Sequence, residues 1–336
     1  MTELIKNLCR LDAVSGDETS VSDFIVSQID GFCDWKTDAL GNIIVFKKGK
    51  KSPLKNVMLD AHTDEVGLII TSITDSGFLK FKVVGGIDTA ALMFRNIKIN
   101  GNVNGVICGK PIHLLSKKES EALPEKDSLY IDIGASSKQE ASELISIGDR
   151  AVICGDFEVI GDKIISKALD DRIGCAVLIS LIREESEYDF YASFSVQEEL
   201  GLRGAKTATF AINPDCAIVL EGTTAADIAD VAYENSVCEL GKGPAVSFMD
   251  GATSYDRKFY DAALKSGILC QPKRAVTGGN DSGAIHLSRE GVRTIAISVP
   301  CRYIHTASSI ADIEDCVNAY NLARYMLNGI CSGEIE

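Results

Sequence analysis

An α/β domain interrupted by a small all-β module is the fold class this sequence predicts, on three observations. Before about residue 66 and again after residue 167, amphipathic helical segments alternate with short, almost wholly apolar strands. Between those points, strand-like runs at 78–84, 96–99 and 104–107 are punctuated by glycine and show no helical period. A length of 336 residues, 46% hydrophobic and 24% charged, suffices for one large domain and a smaller one. Because helix and strand alternate on both sides of the β-rich stretch, residues 1–66 and 167–336 are expected to form one domain. Residues 67–166 are then an inserted lid or assembly module.

The elements follow in order. Leu4, Ile5, Leu8 and Leu11 recur at helical spacing, and after the break Ser15-Gly16-Asp17-Glu18 a second amphipathic segment carries Val21, Phe24, Ile25 and Ile29. Leu40-Gly41-Asn42 reads as a turn between strands at 35–38 and 43–46. The apolar run at 56–61 reads as a buried central strand and leads straight into His62-Thr63-Asp64-Glu65. Inside the insert, the Lys- and Glu-rich stretch 116–127 reads as a mobile solvated connection. After the insert, a helix from Arg172 to about Glu184 precedes a strand at 191–196 that ends in Gln197-Glu198-Glu199-Leu200-Gly201. Buried strands at 216–220 and 293–300 lead to Glu221 and to Tyr303-Ile304-His305-Thr306, and the last element is a long helix through Ile313, Val317, Tyr320, Leu322 and Met326.

Composition excludes some functions. With 34 basic against 48 acidic residues, the formal charge of −14 opposes binding to nucleic acid or to an anionic membrane. No apolar run approaches the roughly 20 residues a membrane span needs, and the N-terminal residues lack a basic-then-apolar signal pattern, which places the protein in the cytoplasm. The 11 cysteines are scattered with no Cys-x-x-Cys pair, so they read as reduced core residues.

The adjacent acids Glu198 and Glu199 stand at the end of an apolar strand, where a carboxylate is costly unless something uses it. An isolated Glu-Glu pair is most often a solvated loop, and His62 or His305 taken singly is more often packed or on the surface than a ligand. Taken together, these residues read differently. His62, Asp64, Glu198, Glu199, Glu221 and His305 all lie just beyond apolar strands, where open α/β sheets place ligand sites. Asp170-Asp171 stands before the helix that follows the insert. Two imidazoles with several carboxylates suit Zn²⁺, Co²⁺ or Mn²⁺.

Four spaced motifs carry a resemblance: Ala61-His62-Thr63-Asp64-Glu65-Val66-Gly67, Lys167-Ala168-Leu169-Asp170-Asp171-Arg172, Gln197-Glu198-Glu199-Leu200-Gly201, and Val299-Pro300-Cys301-Arg302-Tyr303-Ile304-His305-Thr306. In this order, over nearly the whole chain, the sequence resembles the glutamyl and tetrahedral aminopeptidase family of di-metal peptidases. The resemblance implies a mixed central sheet with helices on both faces and a β-barrel-like insert. It implies metal-dependent removal of N-terminal residues from short peptides, with two divalent cations per subunit, zinc or cobalt, with manganese as a third option. It implies that Asp170 bridges the two cations, that His62 and Glu221 complete one site, and that Glu199 and His305 complete the other. Glu198 is then the general base. Asp64, two residues past His62, is near enough to accept the ring proton that does not face the metal and so to fix the tautomer. Members of the family often carry Asp where this chain has Glu221, and the longer carboxylate still reaches a metal. A cis Asp170-Asp171 peptide is implied too, as are dimers built through the insert and, in many members, a hollow tetrahedral dodecamer.

Two other function classes compete: a glycoside hydrolase using Glu198 and a second carboxylate, against which the histidines argue, and a non-catalytic assembly protein, for which a lost ligand would be the sign. No ligand is lost. Thr277-Gly278-Gly279-Asn280-Asp281-Ser282-Gly283 lacks the lysine and spacing of a P-loop and reads as a substrate-side loop, with Asp281 either structural or beside the substrate. Arg302 and Tyr303 either line the pocket for the first side chain or lie on the surface. The net acidity reports the whole surface, so the preferred first residue stays open.

Overall fold

The computed structural model describes residues 1–336. Two short helices come first, α1 (Thr2–Cys9) and α2 (Thr19–Ile29), each burying one stripe: Ile5 and Leu8 in the first, Val21, Ile25 and Ile29 in the second. The hairpin β1 (Asp34–Thr37) and β2 (Ile43–Lys47) turns at Gly41, and β3 (Val57–His62) is buried at every residue. Burial on both faces is what a central strand requires, and it explains the uninterrupted apolar run.

The insert is a closed six-stranded barrel in the order β4-β5-β8-β7-β6-β9. Its strands are β4 (Gly67–Ile73), β5 (Leu79–Val84), β6 (Asn96–Ile99), β7 (Val103–Cys108), β8 (Tyr130–Asp132) and β9 (Arg150–Ile153). Short helices α3 (Thr89–Leu92), α4 (Lys117–Ser120) and α5 (Lys138–Leu144) lie on its connections. The barrel has its own core, built around Leu68, Ile70, Leu79, Ile97, Ile107 and Ile131. The charged stretch 116–127 is exposed, but it is not featureless: Ser116 and Glu119 form a capping box around α4.

The barrel ends earlier than the expected boundary at residue 166. Strands β10 (Glu158–Ile160) and β11 (Lys163–Ser166) form a hairpin that pairs through β11 with β17 (Ser309–Asp312), so they extend the large sheet. Gly155 and Gly161 punctuate this hairpin much as other glycines punctuate the barrel, and the pattern therefore carries no boundary signal there.

Beyond the barrel come α6 (Leu169–Arg183), β12 (Phe190–Ser195), α7 (Arg203–Ile212), β13 (Cys216–Thr224), β14 (Ala245–Val246), α8 (Arg257–Leu264), β15 (Gln271–Pro272), α9 (Ser282–Ile285), β16 (Arg293–Arg302), β17 and α10 (Ile313–Ser332). The large sheet runs β1-β2-β12-β3-β13-β16-β17-β11-β10, with β14 and β15 off the main path. Its centre, β12-β3-β13-β16, is parallel, so the C-terminal ends of four strands open on one edge. Helices cover both faces. Leu59, Ile218 and Ile295 pack with α1, α2, α6 and α10 on one side. Met58, Ala217, Val219 and Ala296 pack with Ala205 and Ala208 of α7 and Ile285 of α9 on the other. No helix is long and apolar enough to cross a membrane. All 11 cysteines are free, most of them buried.

Candidate metal centre

Each strand of the parallel centre delivers acids or a histidine to the same edge. In register, Ser195 of β12 lies beside His62 of β3, and Ser298 of β16 lies beside Glu221 of β13. The chain then turns sharply: Ala168, Gln197, Tyr303 and His305 all take positive φ, at 53°, 57°, 55° and 59°. Left-handed conformations at non-glycine residues are costly and concentrate where backbone must be aimed. The Asp170-Asp171 peptide is cis. At Gly222 a Cβ would sit 3.0 Å from Asp170, so glycine is what lets Asp170 lie against β13.

Two clusters result, His62-Asp170-Glu221 and Asp170-Glu199-His305, with Asp170 common to both. His62 Nε2 is 3.4 Å from Asp170 Oδ1 and 3.6 Å from Glu221 Oε2. His305 Nε2 is 3.4 Å from Asp170 Oδ2 and 3.1 Å from Glu199 Oε1. The opposite ring nitrogens are engaged elsewhere: His305 Nδ1 is 2.8 Å from the Gly86 carbonyl of the barrel, and His62 Nδ1 is 3.1 Å from the Asp64 carbonyl. A ring that donates from Nδ1 to a carbonyl presents a lone pair at Nε2. Imidazole lone pairs thus face carboxylate oxygens, and either a proton or a cation must lie between them. Glu199 Oε1 and Glu221 Oε1 are buried with no hydrogen-bond partner. Orphaned carboxylate oxygens beside imidazole nitrogens are the donor set of a divalent cation, so these residues fit the group.

Without cations, protons take those positions. Burial opposes charge on His305, but the carboxylates of Asp170 and Glu199 beside the ring outweigh it and lift it to about 11. His62 is likewise raised, with Asp170 and Asp64 overcoming burial. Burial raises Glu199, Glu221 and Glu198, the last to about 8. Asp170 moves the other way: burial would raise it, but the two histidines, each 3.4 Å from one of its oxygens, outweigh burial and hold it low. A ligand must shed its proton to bind a metal. Affinity for Zn²⁺ or Co²⁺ is therefore expected to rise from pH 6 to pH 8 with release of protons, measured by calorimetric titration in buffers of different ionisation enthalpy. Raised acids and raised histidines both contribute stability at low pH and lose it as pH rises through their folded values. The chelated protein should accordingly melt at lower temperature at pH 8 than at pH 5, and added cation should reverse the trend. Affinity and melting temperature independent of pH would contradict this reading.

Asp64 does more than face the Nδ1 side of the His62 ring. Its carboxylate Oδ1 is 3.4 Å from His62 Nδ1, farther than its own main-chain oxygen, and accepts the Glu198 N–H (3.0 Å), while Oδ2 accepts the Glu199 N–H (3.1 Å) and the Ser15 hydroxyl (2.5 Å). It thus clamps the Glu198-Glu199 turn against β3. Asp171 accepts the N–H of His62 (3.3 Å) and of Gly174 (2.9 Å), which ties the start of α6 to the same strand. Glu198 makes no side-chain hydrogen bond, and it lines a cavity of about 600 Å³ together with Asp170, Glu199, Glu221 and His305.

Other expectations resolve here. Thr277, Gly278 and Gly279 line this cavity, as the substrate-side reading of that loop requires. Asp281 does not: it is fully buried, accepts a 2.7 Å hydrogen bond from Ser195 Oγ, and lies behind β12 with Asp60, which shares that serine. Arg302 leaves the pocket because its guanidinium pairs with both oxygens of Asp227, at 2.8 and 2.7 Å. Tyr303 is half exposed, and of this segment Ile304 and His305 line the cavity. The stretch 15–18, expected only as a break between helices, supplies Ser15 to Asp64 and Glu18 to the Gln197 N–H (3.1 Å). A serine and a glutamate after a helix carry no sign in sequence of what they will meet 49 and 179 residues later.

A family model described as M42 glutamyl aminopeptidase matches residues 41–322, a span that holds both clusters. A relative from Acetivibrio thermocellus, named as an aminopeptidase, is 37% identical over 98% of this chain and 98% of its own. The lysyl aminopeptidase of Pyrococcus furiosus is 34% identical over 97% and 96%. Among solved structures, an aminopeptidase from the archaeon Desulfurococcus kamchatkensis superposes with a TM-score of 0.91 at 36% identity, covering 96% of this chain and 93% of that one. The TET1 peptidase of Pyrococcus horikoshii gives 0.84 at 33%, covering 96% and 98%. The chain belongs to the M42 glutamyl aminopeptidase family, hydrolases that act on peptides.

Proposed function

We propose that this protein is a metal-dependent aminopeptidase that removes N-terminal residues from short peptides, with two divalent cations per subunit and Glu198 as the general base. The observation that carries the reading is the pair of clusters sharing Asp170 beside a cavity onto which Glu198 presents an unpaired carboxylate. His62, Asp170 and Glu221 would hold one cation, and Asp170, Glu199 and His305 the other; zinc, cobalt and manganese all accept this donor set. When bound, the cations polarise the scissile carbonyl and acidify a water. Glu198 takes the proton of that water and returns it to the leaving amine. Asp64 holds the Glu198 main chain by its N–H, so base and ligands keep their spacing. The His305 ring is oriented by the barrel's Gly86 carbonyl, which makes the inserted module part of the site's framework.

Purified protein loaded with Co²⁺, Zn²⁺ or Mn²⁺ should release amino acids from a panel of aminoacyl-anilides and free peptides. No release from any member of the panel with any of the three metals would end this reading. A glycosidase has no use for paired imidazoles at its acids, and sugar release that survives chelation would be its sign.

Assembly into homo-oligomers belongs to the same proposal. The Pyrococcus horikoshii relative assembles into a tetrahedron or an octahedral shell. In this chain Phe94, Ile112, Leu114 and Leu123 of the barrel module are exposed apolar residues. Light scattering is expected to give a dimer or a dodecamer, and a strict monomer with and without metal would count against it.

A further inference from the structure

Three successive main-chain N–H groups in the turn that carries Glu198 end on carboxylates from distant parts of the chain. Asp64 takes those of Glu198 and Glu199, and Glu18 takes that of Gln197 at 3.1 Å. Glu18 is only 7% exposed, and the same oxygen, Oε1, also accepts the Gly16 N–H at 2.6 Å. A carboxylate so far removed from water is costly unless hydrogen bonds hold it where it lies. Its placement is unusual for its position in the chain. Glu18 stands at the N-cap of α2, where a polar side chain ordinarily accepts N–H groups of its own first turn, yet it caps nothing in that helix. The carboxylate reaches across to the exit of β12 instead.

The turn needs an outside hold. Gln197, Gly201 and Leu202 take φ of 57°, 106° and 59°, and left-handed backbone at residues other than glycine persists only where the surroundings over-determine it. From within, the Glu198 carbonyl accepts the N–H groups of Gly201 (2.8 Å) and Leu202 (2.9 Å), which closes the far side of the turn. The near side is fixed by the two acids. A peptide unit is planar, so a bond to its N–H orients the whole plane. Glu18 holds the plane before Gln197 and Asp64 holds the plane after it. Between them they set both dihedrals of Gln197, and with these the direction in which the chain enters Glu198. The loop that brings Glu18 is itself tied down. The Ser15 N–H donates to the Glu65 carbonyl (3.4 Å), its hydroxyl to Asp64 (2.5 Å), and its carbonyl accepts Arg150 Nε of β9 at 3.3 Å, so the barrel backs the loop from outside.

We propose that Glu18 is a positioning residue for hydrolysis: by holding the Gln197 N–H it fixes the direction in which the Glu198 carboxylate meets the cavity. The inference rests on the reading of Glu198 as the general base and adds to it a residue from the N-terminal segment. Glu18 does not line the cavity and belongs to neither ligand cluster, so its effect passes through the turn alone. Asp64 does not replace it, because the main-chain bonds of Asp64 in this turn go to residues 198 and 199.

Glu18→Ala, Glu18→Asp and Glu18→Gln are made in the wild type and in Glu198→Gln, and kcat, KM and metal content are measured for the metal-loaded proteins on the wild type's best aminoacyl-anilide. Aspartate keeps the charge but draws the oxygen back from Gln197 by one methylene, and glutamine keeps an acceptor oxygen at the same reach. Glu18→Ala and Glu18→Asp should lower kcat by roughly 10- to 100-fold, the order expected when a catalytic group is misplaced by up to about 1 Å, with KM and metal content unchanged. Glu18→Gln should keep most of the wild-type kcat. In Glu198→Gln the same substitutions should add no further loss, because a residue that acts through another has no separate effect once that one is gone. Losses that multiply in the two backgrounds belong to a merely structural role and overturn the proposal, as does a wild-type kcat in Glu18→Ala. A kcat unmoved by Glu198→Gln alone is the failure of the general-base reading, and release of nothing from any substrate is the failure of the aminopeptidase reading. Hydrogen exchange of the chelated proteins tests the hold without turnover, and Glu18→Asp carries the comparison if Glu18→Ala does not fold. The amides of residues 197–199 should exchange about tenfold faster or more in Glu18→Ala and Glu18→Asp, as the loss of a hydrogen bond to a charged group implies, and at the wild-type rate in Glu18→Gln. Equal exchange in all of these proteins overturns the proposal.

Discussion

Glu198→Gln is expected to lower kcat by roughly 10²- to 10⁴-fold, the contribution typical of a positioned acid-base group, while both cations remain bound. The amide keeps the shape of the side chain and cannot accept a proton. The main-chain bond that fixes residue 198, from its N–H to Asp64, does not depend on the side chain. Glu198 also stands outside both ligand clusters, so the metal content of the variant, measured by atomic emission, should match that of the wild type. Its environment suits the role. Burial lifts its carboxyl to about 8 in the protein without cations, with Glu199 and Asp170 adding to the rise and His62 opposing it. Nearby cations favour the ionised form and bring the value down, so the loaded enzyme should lose activity towards acid pH as the base is protonated. A variant that retains full activity would remove Glu198 from the chemistry; one that loses a cation would make it a ligand.

How far sequence carries depends on what each residue answers to. β3, β12 and β13 are legible because burial on both faces demands unbroken apolar runs, and an acid or histidine at the end of such a run is conspicuous. His62, Glu199, Glu221 and His305 were therefore visible as strand-end residues, although only the resemblance joined them to Asp170. The limit of the barrel was not visible, because β10 and β11 have the same glycine-punctuated texture as the strands that do close on themselves. The partners of Asp64 were not visible either: a spacing of two from His62 suggested a bond to the ring, but side-chain direction turned most of its carboxylate's bonds to the Glu198-Glu199 turn. Asp281 and Glu18 mark the remaining gap. Both follow stretches that look like ordinary loop, and burial separates them from surface charges only once the sheet is folded around them.

The shared position of Asp170 gives the second large effect. Glu199 and Glu221 each belong to one cluster, so Glu199→Ala and Glu221→Ala should each weaken one cation and spare much of the other. Asp170→Asn should weaken both. Its two oxygens divide between the histidines, Oδ1 towards His62 at 3.4 Å and Oδ2 towards His305 at 3.4 Å, and an amide replaces one of these anionic oxygens with a donor while removing the charge common to both sites. Loss of outer-shell partners alone typically costs about 10- to 100-fold in metal affinity, so the bridging carboxylate should cost at least that at each site. Equilibrium dialysis should show stoichiometry falling towards zero at cation concentrations where Glu199→Ala keeps about one ion, with hydrolysis lost in parallel. The main-chain bond from Gly222 to Asp170 Oδ1, at 3.2 Å, is the one structural contact the substitution also risks. Circular dichroism and the melting temperature of the chelated forms separate that risk from metal loss, because a folded Asp170→Asn protein that melts with chelated wild type has lost only its ligand. Two cations held by Asp170→Asn at wild-type affinity would mean that the clusters bind independently and that Asp170 is no bridge.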